Sequence, residues 1–359
     1  MLNARAQAKK IMREFVMGRL MPVAVATLAL AGFALITDAT AQDFYKGKSV
    51  KLIVGAAAGG GYDSHSRMVS KHMTKHIAGN PTIVVMNMPA AGGLVATNHV
   101  YALADKDGSA IGLFNRYSIL AGVLGNEQAR FKVEEFNWLG TPASYSDNAY
   151  LFVIRSALPQ KTVEDLRQAN PPLSVGNVGS APVRVLKEAL GLNLKIIEGY
   201  KGSNELDLAF ERGEVDGHTV GWANMLSRQP EWIEKNFIRP MIQFGRVDRL
   251  PALKDVPTAR EVARTPEDRL LIEFTETPLM MAFPFAAPPG VPADRVAILR
   301  QAFRDTMNDK AYQGDVEKSK LEYSPKYGDE VQEIIASMAR TPKAVTDRYK
   351  AIEGSRSGG

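Results

Sequence analysis

The chain has 359 residues, 45% of them hydrophobic, and contains no cysteine, which excludes thiol catalysis, disulfides and cysteine-based metal sites. Five of its 44 basic and two of its 39 acidic residues lie in positions 1–41, which leaves 39 basic against 37 acidic residues and a net charge of +2. A balance so close to neutral does not indicate nucleic-acid binding.

Residues 1–41 have the pattern of a secretory leader. Basic residues precede the uncharged apolar stretch 20–36, and Ala39-Thr40-Ala41 has the small-x-small form of a signal peptidase site. We therefore expect a mature chain that begins near Gln42 and resides in the periplasm, a location that suits an exported chain without disulfides. The alternative is an uncleaved membrane anchor, since 17 apolar residues approach the length that spans a bilayer.

Short aliphatic segments alternate with segments of helical periodicity from Phe44 onwards. The predicted strands are residues 50–54, 82–87, 110–114, 150–154, 173–176, 194–198, 215–220 and 238–244. The predicted helices are residues 63–77, 93–104, 162–168, 181–190, 203–212, 293–307 and 329–352. This alternation predicts an α/β fold with parallel, helix-covered sheets, which bind ligands outside the carboxyl ends of their strands.

Three strand-to-helix junctions are rich in small residues: 55–61, 90–93 and 176–181. Each can present backbone N–H groups and the positive end of a helix dipole to one negative group. The first is neither a Walker A loop, which needs Lys and Ser or Thr after its last glycine, nor a G-x-G-x-x-G fingerprint. An anion held there would be repelled by Asp63 unless this carboxylate turns back onto its own helix. The alternative is three unrelated tight turns.

The order of the segments predicts two lobes. The polar stretch 141–147 precedes the strand at 150–154, and residues 279–283 resemble a second extended crossing. We expect residues 42–149 and 279–359 to form the first lobe and residues 150–278 the second. The two C-terminal helices should then pack on the first lobe.

Several short motifs occur in a specific order over nearly the whole mature chain. They are Ala-Gly-Gly-Gly-Tyr-Asp at 58–63, Asn-Met-Pro-Ala-Ala-Gly-Gly at 87–93, Gly-Tyr-Lys-Gly at 199–202, Gly-Glu-Val-Asp at 213–216, Asp-Val-Pro-Thr at 255–258 and Ala-Pro-Pro-Gly-Val-Pro at 287–292. In this order and spacing the chain resembles the extracytoplasmic solute receptors of tripartite tricarboxylate transporters, the TctC-like or Bug-type binding proteins.

The resemblance implies a two-lobed periplasmic binding protein of the type II-like class, with a mostly parallel sheet in each lobe and two interlobe crossing strands. Such a protein is a monomer that closes on a small mono- or dicarboxylate and delivers it to inner-membrane transporter subunits. It implies no enzyme activity, cofactor, metal or nucleic-acid partner. A receptor that signals to a sensor kinase would share the fold and ligand, so it stays open as an alternative. An exported carboxylic ester hydrolase is a further alternative.

The resemblance also implies which residues contact the ligand. In the first lobe they are Ala56, Ala58, Gly59, Gly60, Tyr62, Asp63, Gly92 and Gly93, and in the second lobe Ser180, Ala181, Tyr200 and Asp216. The chain departs from the family at Ala56, where an aromatic residue is common, and at Arg116 and Tyr117, where small polar residues are common. Arg116 can pair with a second carboxylate of the ligand, or it is an exposed surface arginine.

Overall fold

The computed structural model describes residues 44–178 and 182–354, so the leader lies outside the described residues. Its strands are β1 (Ser49–Val54), β2 (Thr82–Asn87), β3 (Ala110–Leu113), β4 (Asn137–Thr141), β5 (Tyr150–Arg155), β6 (Leu173–Gly176), β7 (Leu194–Ile197), β8 (Gly217–Gly221), β9 (Ile238–Phe244), β10 (Phe285–Ala287) and β11 (Lys326–Tyr327).

The α-helices alternate with these strands. They are α1 (Gly61–Met73), α2 (Leu94–Ala102), α3 (Arg116–Val123), α4 (Val163–Arg167), α5 (Pro182–Ala189), α6 (Ser203–Glu211), α7 (Trp222–Arg228), α8 (Glu231–Glu234), α9 (Pro266–Glu276), α10 (Ala293–Asn308), α11 (Lys310–Lys318), α12 (Gly328–Ala339) and α13 (Lys343–Gly354). Short 3₁₀ turns lie at Thr74–His76, Ala90–Gly93, Val133–Glu135, Pro251–Leu253 and Thr277–Met281. Within these described stretches no helix is long and apolar enough to span a bilayer.

The strands form two separate sheets. The first has the order β11-β4-β10-β3-β1-β2 and the second the order β7-β6-β8-β5-β9. Both are mixed, which corrects the expectation of mostly parallel sheets: β1 is parallel to β2 and β3, and β6 to β7 and β8, but β10 is antiparallel to β3 and β4, and β5 to β8 and β9.

The mixed pairing follows from how the chain passes between the sheets. It leaves the first sheet after β4 and enters the second at β5, then leaves after β9 and returns at β10. The first passage is residues 142–149, and the second is the segment before β10 that includes residues 277–284. Both join the ends of the two sheets that face each other, where β1, β3 and β8 end. A strand that enters from this end must run against the strands that end there. The lobe boundaries at 149/150 and 278/279 stay a prediction.

The two passages lie side by side and hydrogen-bond to each other. Tyr145 N donates to Leu279 O at 2.9 Å, and Ala282 N donates to Ala143 O at 3.1 Å. The sequence predicted an extended crossing strand for the second passage, and this prediction was wrong. Residues 277–281 instead form a 3₁₀ turn with a proline at its start. The carbonyl of Ala282, just after this turn, accepts a hydrogen bond from Arg116 Nη1 at 3.1 Å.

Aromatic side chains fill the core beneath the first sheet. Phe114, Trp138, Phe285 and Phe303 are almost completely buried and contact their neighbours edge-on or tilted. Full burial of a side chain of this kind contributes about 1.5–3 kcal/mol. The packing holds β3, β4 and β10 together, and these strands position the helix start and the passage that border the site.

The C-terminal segment predicted as one helix is two helices. Pro342 lacks the N–H that an uninterrupted helix would need, and the chain turns between α12 and α13. Helix α12 packs on β4, as expected for the first lobe, whereas α13 packs on α9 and α5. Arg184 of α5 forms an ion pair with Glu353 of α13 at 3.0 Å, and Arg348 of α13 forms one with the buried Asp268 of α9 at 2.5 Å.

Gly328 at the start of α12 gives a test of this packing. A Cβ atom at this position would lie 2.2 Å from the backbone oxygen of Trp138, which cannot move without disturbing β4. We expect Gly328→Ala to lower the free energy of unfolding by about 1–3 kcal/mol, because overpacking forces backbone shifts. Gly314→Ala in α11 is the control: no atom lies within 4 Å of the added Cβ, so helix propensity should raise stability by up to about 1 kcal/mol. Urea unfolding of both variants measures the two changes in the free energy of unfolding. If both changes had the same sign, the packing described here would be contradicted.

Candidate ligand-binding site

The first glycine-rich junction forms a loop that is closed by Asp63. Its Oδ2 atom accepts a hydrogen bond from Gly59 N at 2.9 Å and another from Arg67 Nε at 2.9 Å. Oδ1 accepts from Asn87 Nδ2 at 3.1 Å, at the end of β2. Gly59 has a φ of +82°, a conformation that favours glycine. The carboxylate thus turns back onto its own loop, as the anion hypothesis required.

The second junction packs tightly against the first. Ala91, Gly92 and Gly93 all have left-handed backbone conformations, with φ values of 50°, 60° and 92°. A Cβ atom on Gly93 would lie 2.7 Å from the Cβ of Asn115 and 3.0 Å from the backbone oxygen of Gly55. The absence of a side chain at Gly93 therefore allows three loops to pack closely at the ends of β1, β2 and β3.

The third loop places Arg116 at the start of α3. The side chain of Asn115 caps this helix by accepting a hydrogen bond from Tyr117 N at 2.9 Å. This cap was not recognised in the sequence, so α3 was not predicted. Arg116 is only 5% exposed, which excludes the alternative of a surface arginine.

Arg116 is surrounded by tyrosines rather than by carboxylates. Its Nη1 atom donates to Tyr62 Oη at 2.9 Å and to Ala282 O at 3.1 Å. Four ring centroids lie 5.1–5.7 Å from its guanidinium carbon, those of Tyr62, Tyr117, Tyr145 and Tyr150. Among the described residues no Asp or Glu forms an ion pair with Arg116, and its buried Nε has no hydrogen-bond partner there.

The tyrosines do not neutralise this charge. Burial raises the pKa of Tyr62, Tyr117 and Tyr145 above the ordinary value of 10, although Arg116 partly opposes the shift in each case. All three hydroxyl groups are therefore protonated at neutral pH. The arginine remains a buried, uncompensated positive charge.

The second sheet forms the facing wall. Helices α6 and α7 begin here, and Asn224 of α7 lies opposite the glycine loop, where a Cβ on Gly61 would be 3.0 Å from Asn224 Nδ2. This amide nitrogen is buried and lacks a hydrogen-bond partner within the part of the chain that the structure describes. Glu322, fully buried beside His65, accepts from Asn224 N at 2.9 Å and so joins α7 to the first-sheet side.

Asp207 and His218 stand on the same wall. Burial raises the pKa of Asp207 to about 6, although the guanidinium of Arg228, 2.6 Å away, lowers it in part. Burial lowers the pKa of His218 to about 3, so its imidazole is neutral at physiological pH. The wall thus carries one balanced ion pair and one neutral ring.

These walls enclose a cavity of about 110 Å³ between the two sheets. It is lined by Gly55, Ala56, Ala57, Gly60, Gly61, Tyr62, Pro89, Gly92, Asn115, Arg116, Tyr117, Tyr145, Tyr150, Val178, Lys201, Gly202, Ser203, Leu206, Asp207, His218, Thr219, Val220, Gly221, Asn224 and Phe283. The helices α1, α3 and α6 all begin at this lining, so their unpaired N–H groups and positive dipole ends are directed at one space.

Six of the residues predicted for the site line this cavity, namely Ala56, Gly60, Tyr62, Gly92, Arg116 and Tyr117. Four others, Ala58, Gly59, Asp63 and Gly93, shape the loops behind it. Ser180 and Ala181 lie outside the described residues. Whether any of them contacts a ligand stays a prediction.

Two predicted residues are not brought to the cavity. Asp216 instead accepts hydrogen bonds from the backbone and side chain of Ser174 and pairs with Arg155 at 2.8 Å, which ties strand ends together at the start of β8. Tyr200 is partly buried against the second-sheet core.

Several lining residues were missed by sequence reasoning. Tyr145 and Phe283 come from the two passages and Tyr150 from the start of β5, whereas Asp207 lies in the second turn of α6 and Asn224 in the first turn of α7. The glycines at 199–202 and at 221, just before these helices, were the available signal. They mark close approaches of the backbone but do not indicate which side chains follow on the cavity face.

The loop closure by Asp63 has a testable pH dependence. Burial alone would raise the pKa of Asp63, but hydrogen bonds from Arg67, Gly59 and Asn87 outweigh it and hold the pKa below the ordinary 3.8. A carboxylate with a lowered pKa stabilises the fold above its unfolded-state pKa, and this stabilisation is lost as the pH falls through the folded-state value. We expect Asp63→Ala to lower the free energy of unfolding by about 2–3 kcal/mol at pH 7 and by progressively less as the pH falls below 3.8.

Asp105→Ala is the matched control for this experiment. Asp105 pairs with Lys51 at 2.9 Å, but both side chains are about half exposed. Its removal should change stability by about 0.5 kcal/mol or less. Denaturant unfolding over this pH range would contradict the role of Asp63 if both variants lost the same amount, or if the Asp63→Ala loss did not depend on pH.

The comparison with known proteins begins with a family model. The model described as "Tripartite tricarboxylate transporter family receptor" matches residues 66–349. The UPF0065 protein in the gbd 5′ region of Cupriavidus necator is 25% identical over 343 residues, which cover 91% of this chain and 94% of the relative. The UPF0065 protein in the TAR-I ttuE-ttuC′ intergenic region of Agrobacterium vitis is 29% identical over 234 residues, and the match spans 62% of this chain but only 64% of that relative.

Solved structures confirm the predicted two-lobed fold. The periplasmic binding protein BugD has a TM-score of 0.67 at 21% identity, over 86% of this chain and 98% of BugD. MatC from Rhodopseudomonas palustris with bound malate has a TM-score of 0.63 at 20% identity, over 86% and 99%. Rpa4515 of R. palustris with adipate has a TM-score of 0.64 at 18% identity, over 86% and 98%.

Proposed function

Because the chain belongs to the tripartite tricarboxylate transporter receptor family, we propose that it captures a small organic carboxylate in the cavity between its two sheets. The observation that carries this proposal is the buried Arg116, which has no acidic partner among the described residues. The family and the solved neighbours are binding proteins rather than enzymes, which favours capture over catalysis.

The energetics of Arg116 support an anionic ligand. Moving a charged group out of water costs several kcal/mol, and only an opposite charge with good geometry offsets this cost fully. The tyrosine rings and two hydrogen bonds to oxygen atoms offset part of it. A ligand carboxylate at the free Nε would supply the missing charge, and the guanidinium would recognise it with directed hydrogen bonds.

The remaining donors favour a second anionic group on the same ligand. Asn224 Nδ2 and the N-terminal end of α6 belong to the wall that the second sheet forms, whereas Arg116 and its partner Tyr62 belong to the first-sheet side. Amide donors and helix starts stabilise carboxylates without a formal charge. We therefore propose a dicarboxylate, and the malate and adipate bound by two structural neighbours are acids of this class.

Export and delivery complete the proposal. The leader at residues 1–41 is expected to bring the chain to the periplasm, where the loaded receptor would pass its ligand to membrane subunits of a tripartite transporter. Presentation to a sensor kinase is the alternative that shares the same ligand-bound state. An ester hydrolase is disfavoured, because His218, the histidine that the described residues contribute to the cavity lining, has a pKa of about 3 and is a poor general base near neutral pH.

Arg116→Met tests the charge complementarity. Loss of a desolvated arginine–carboxylate pair corresponds to about 2–5 kcal/mol, so calorimetry should show succinate or adipate binding weakened by tens-fold or more. Butyrate and hexanoate have a single carboxylate. If the amide donors bind that carboxylate, the affinity of Arg116→Met for these acids should fall much less. Arg212→Met on the exposed surface removes the same charge outside the cavity and should leave binding unchanged. Equal losses for acids of both kinds in Arg116→Met would contradict the proposed role.

Gly60 tests the position of the ligand. A Cβ on Gly60 meets nothing closer than Ser203 Oγ at 3.8 Å, so alanine fits there, whereas a leucine side chain would fill the gap between the loop and α6. We expect Gly60→Leu to abolish binding and Gly60→Ala to retain it, with similar melting temperatures for the two ligand-free proteins. Gly93 is unsuitable for this test, because its φ of 92° and its close neighbours would destabilise any substitution. Unchanged affinity in Gly60→Leu would place the site elsewhere.

A further inference from the structure

Asp207 of α6 is only half satisfied. It is 3% exposed and lines the cavity. Its Oδ2 atom accepts hydrogen bonds from Arg228 Nη2 at 2.6 Å and from Gln229 Nε2 at 3.1 Å. Its Oδ1 atom has no hydrogen-bond partner among residues 44–178 and 182–354. The imidazole nitrogen Nδ1 of His218 lies 3.9 Å from Oδ1, beyond hydrogen-bond reach.

A buried acceptor without a donor is unfavourable, and proteins satisfy nearly all such atoms. The raised pKa of Asp207, about 6, reflects the same lack of solvation. Within the described part of the chain no group donates a hydrogen bond to Oδ1, although Oδ2 accepts two. The carboxylate is therefore fixed through Oδ2, while Oδ1 lacks a donor beside His218, a residue that lines the same cavity as Asp207.

We propose that Asp207 Oδ1 accepts a hydrogen bond from a hydroxyl group of the ligand, so that the ligand is a hydroxycarboxylate. This inference rests on the proposed function and names the substrate class of the same site. Arg116 and the amide donors hold carboxylate oxygens, and Asp207 discriminates between acids with and without the hydroxyl.

The charges around Asp207 select a neutral donor over an ammonium group. Arg228 lies 2.6 Å from Oδ2 and already balances the carboxylate. Glu211, one turn along α6, is exposed and accepts from Trp232 Nε1, and His218 is neutral at physiological pH. Lys201 and Arg116 also border the cavity. An ammonium group would add a further cation beside Arg228, whereas a hydroxyl supplies the donor without a charge.

Calorimetry on the mature protein with matched acids tests this inference. The pairs are malate and succinate, 2-hydroxyglutarate and glutarate, 3-hydroxybutyrate and butyrate, and 3-hydroxybenzoate and benzoate. We expect the hydroxylated member to bind at least tenfold more tightly in at least one pair. Aspartate, with an ammonium group in place of the hydroxyl of malate, should bind more weakly than malate.

Two variants assign the preference to Asp207. Asp207→Asn keeps the shape but loses the charged acceptor, and Asp207→Ala removes the acceptor altogether; both should reduce the ratio of affinities within the responsive pair at least fivefold. Glu211→Gln, which removes a carboxylate from the same helix outside the cavity lining, should preserve the ratio. Should Asp207→Ala fail to fold, Asp207→Asn alone decides.

The outcomes separate this inference from the proposed function. If acids without the hydroxyl bind as tightly in every pair, if aspartate binds better than malate, or if a folded Asp207 variant keeps the wild-type ratio, the inference is overturned while carboxylate binding stands. If none of these acids binds, the proposed function fails and the inference fails with it.

Discussion

The site is organised by one electrostatic constraint, a guanidinium buried among tyrosines with no carboxylate beside it among the described residues. Arg116 starts α3, its partner Tyr62 belongs to the first turn of α1, and its partner Ala282 to the second passage between the sheets. Three elements of distant sequence are therefore positioned by one charged group. A buried charge held in this way is costly, and the aromatic rings and the two hydrogen bonds offset only part of that cost.

The direction of the strands explains why polar donors converge on that charge. Parallel strands end at the same edge of a sheet, and the helices that follow begin there. In this protein the edges of two sheets face each other, because the chain passes between them twice at that level. The starts of α1 and α3 thus face the start of α6 across a cavity of about 110 Å³.

Contacts between the two walls hold this arrangement together. Glu322 accepts from Asn224 N, and Asn204 Nδ2 contacts the backbone oxygen of Ala58 at 3.4 Å. Where a Cβ on Gly202 would meet Ala57 at 3.0 Å, the absence of a side chain allows the loops to approach. The small residues around the cavity therefore serve two purposes: they expose backbone donors, and they let the walls come close.

The sequence by itself determined several local elements and the glycine loop that borders the cavity. Periodicity placed β2, β6 and β9 at their observed bounds, because these signals depend only on neighbouring residues. The glycine loop and the closure by Asp63 were accessible for the same reason, since the hydrogen bond from Gly59 N spans four residues.

Only the tertiary structure decided the rest. Sheet direction, the 3₁₀ turn at residues 277–281 and the cap on α3 depend on where the passages run and on a single side-chain hydrogen bond. Asp207 and Phe283 are distant in sequence from Arg116 and from each other, so no local pattern brings them to one cavity. Burial and the charge that remains uncompensated are properties of the folded chain, because they depend on every neighbour that excludes water.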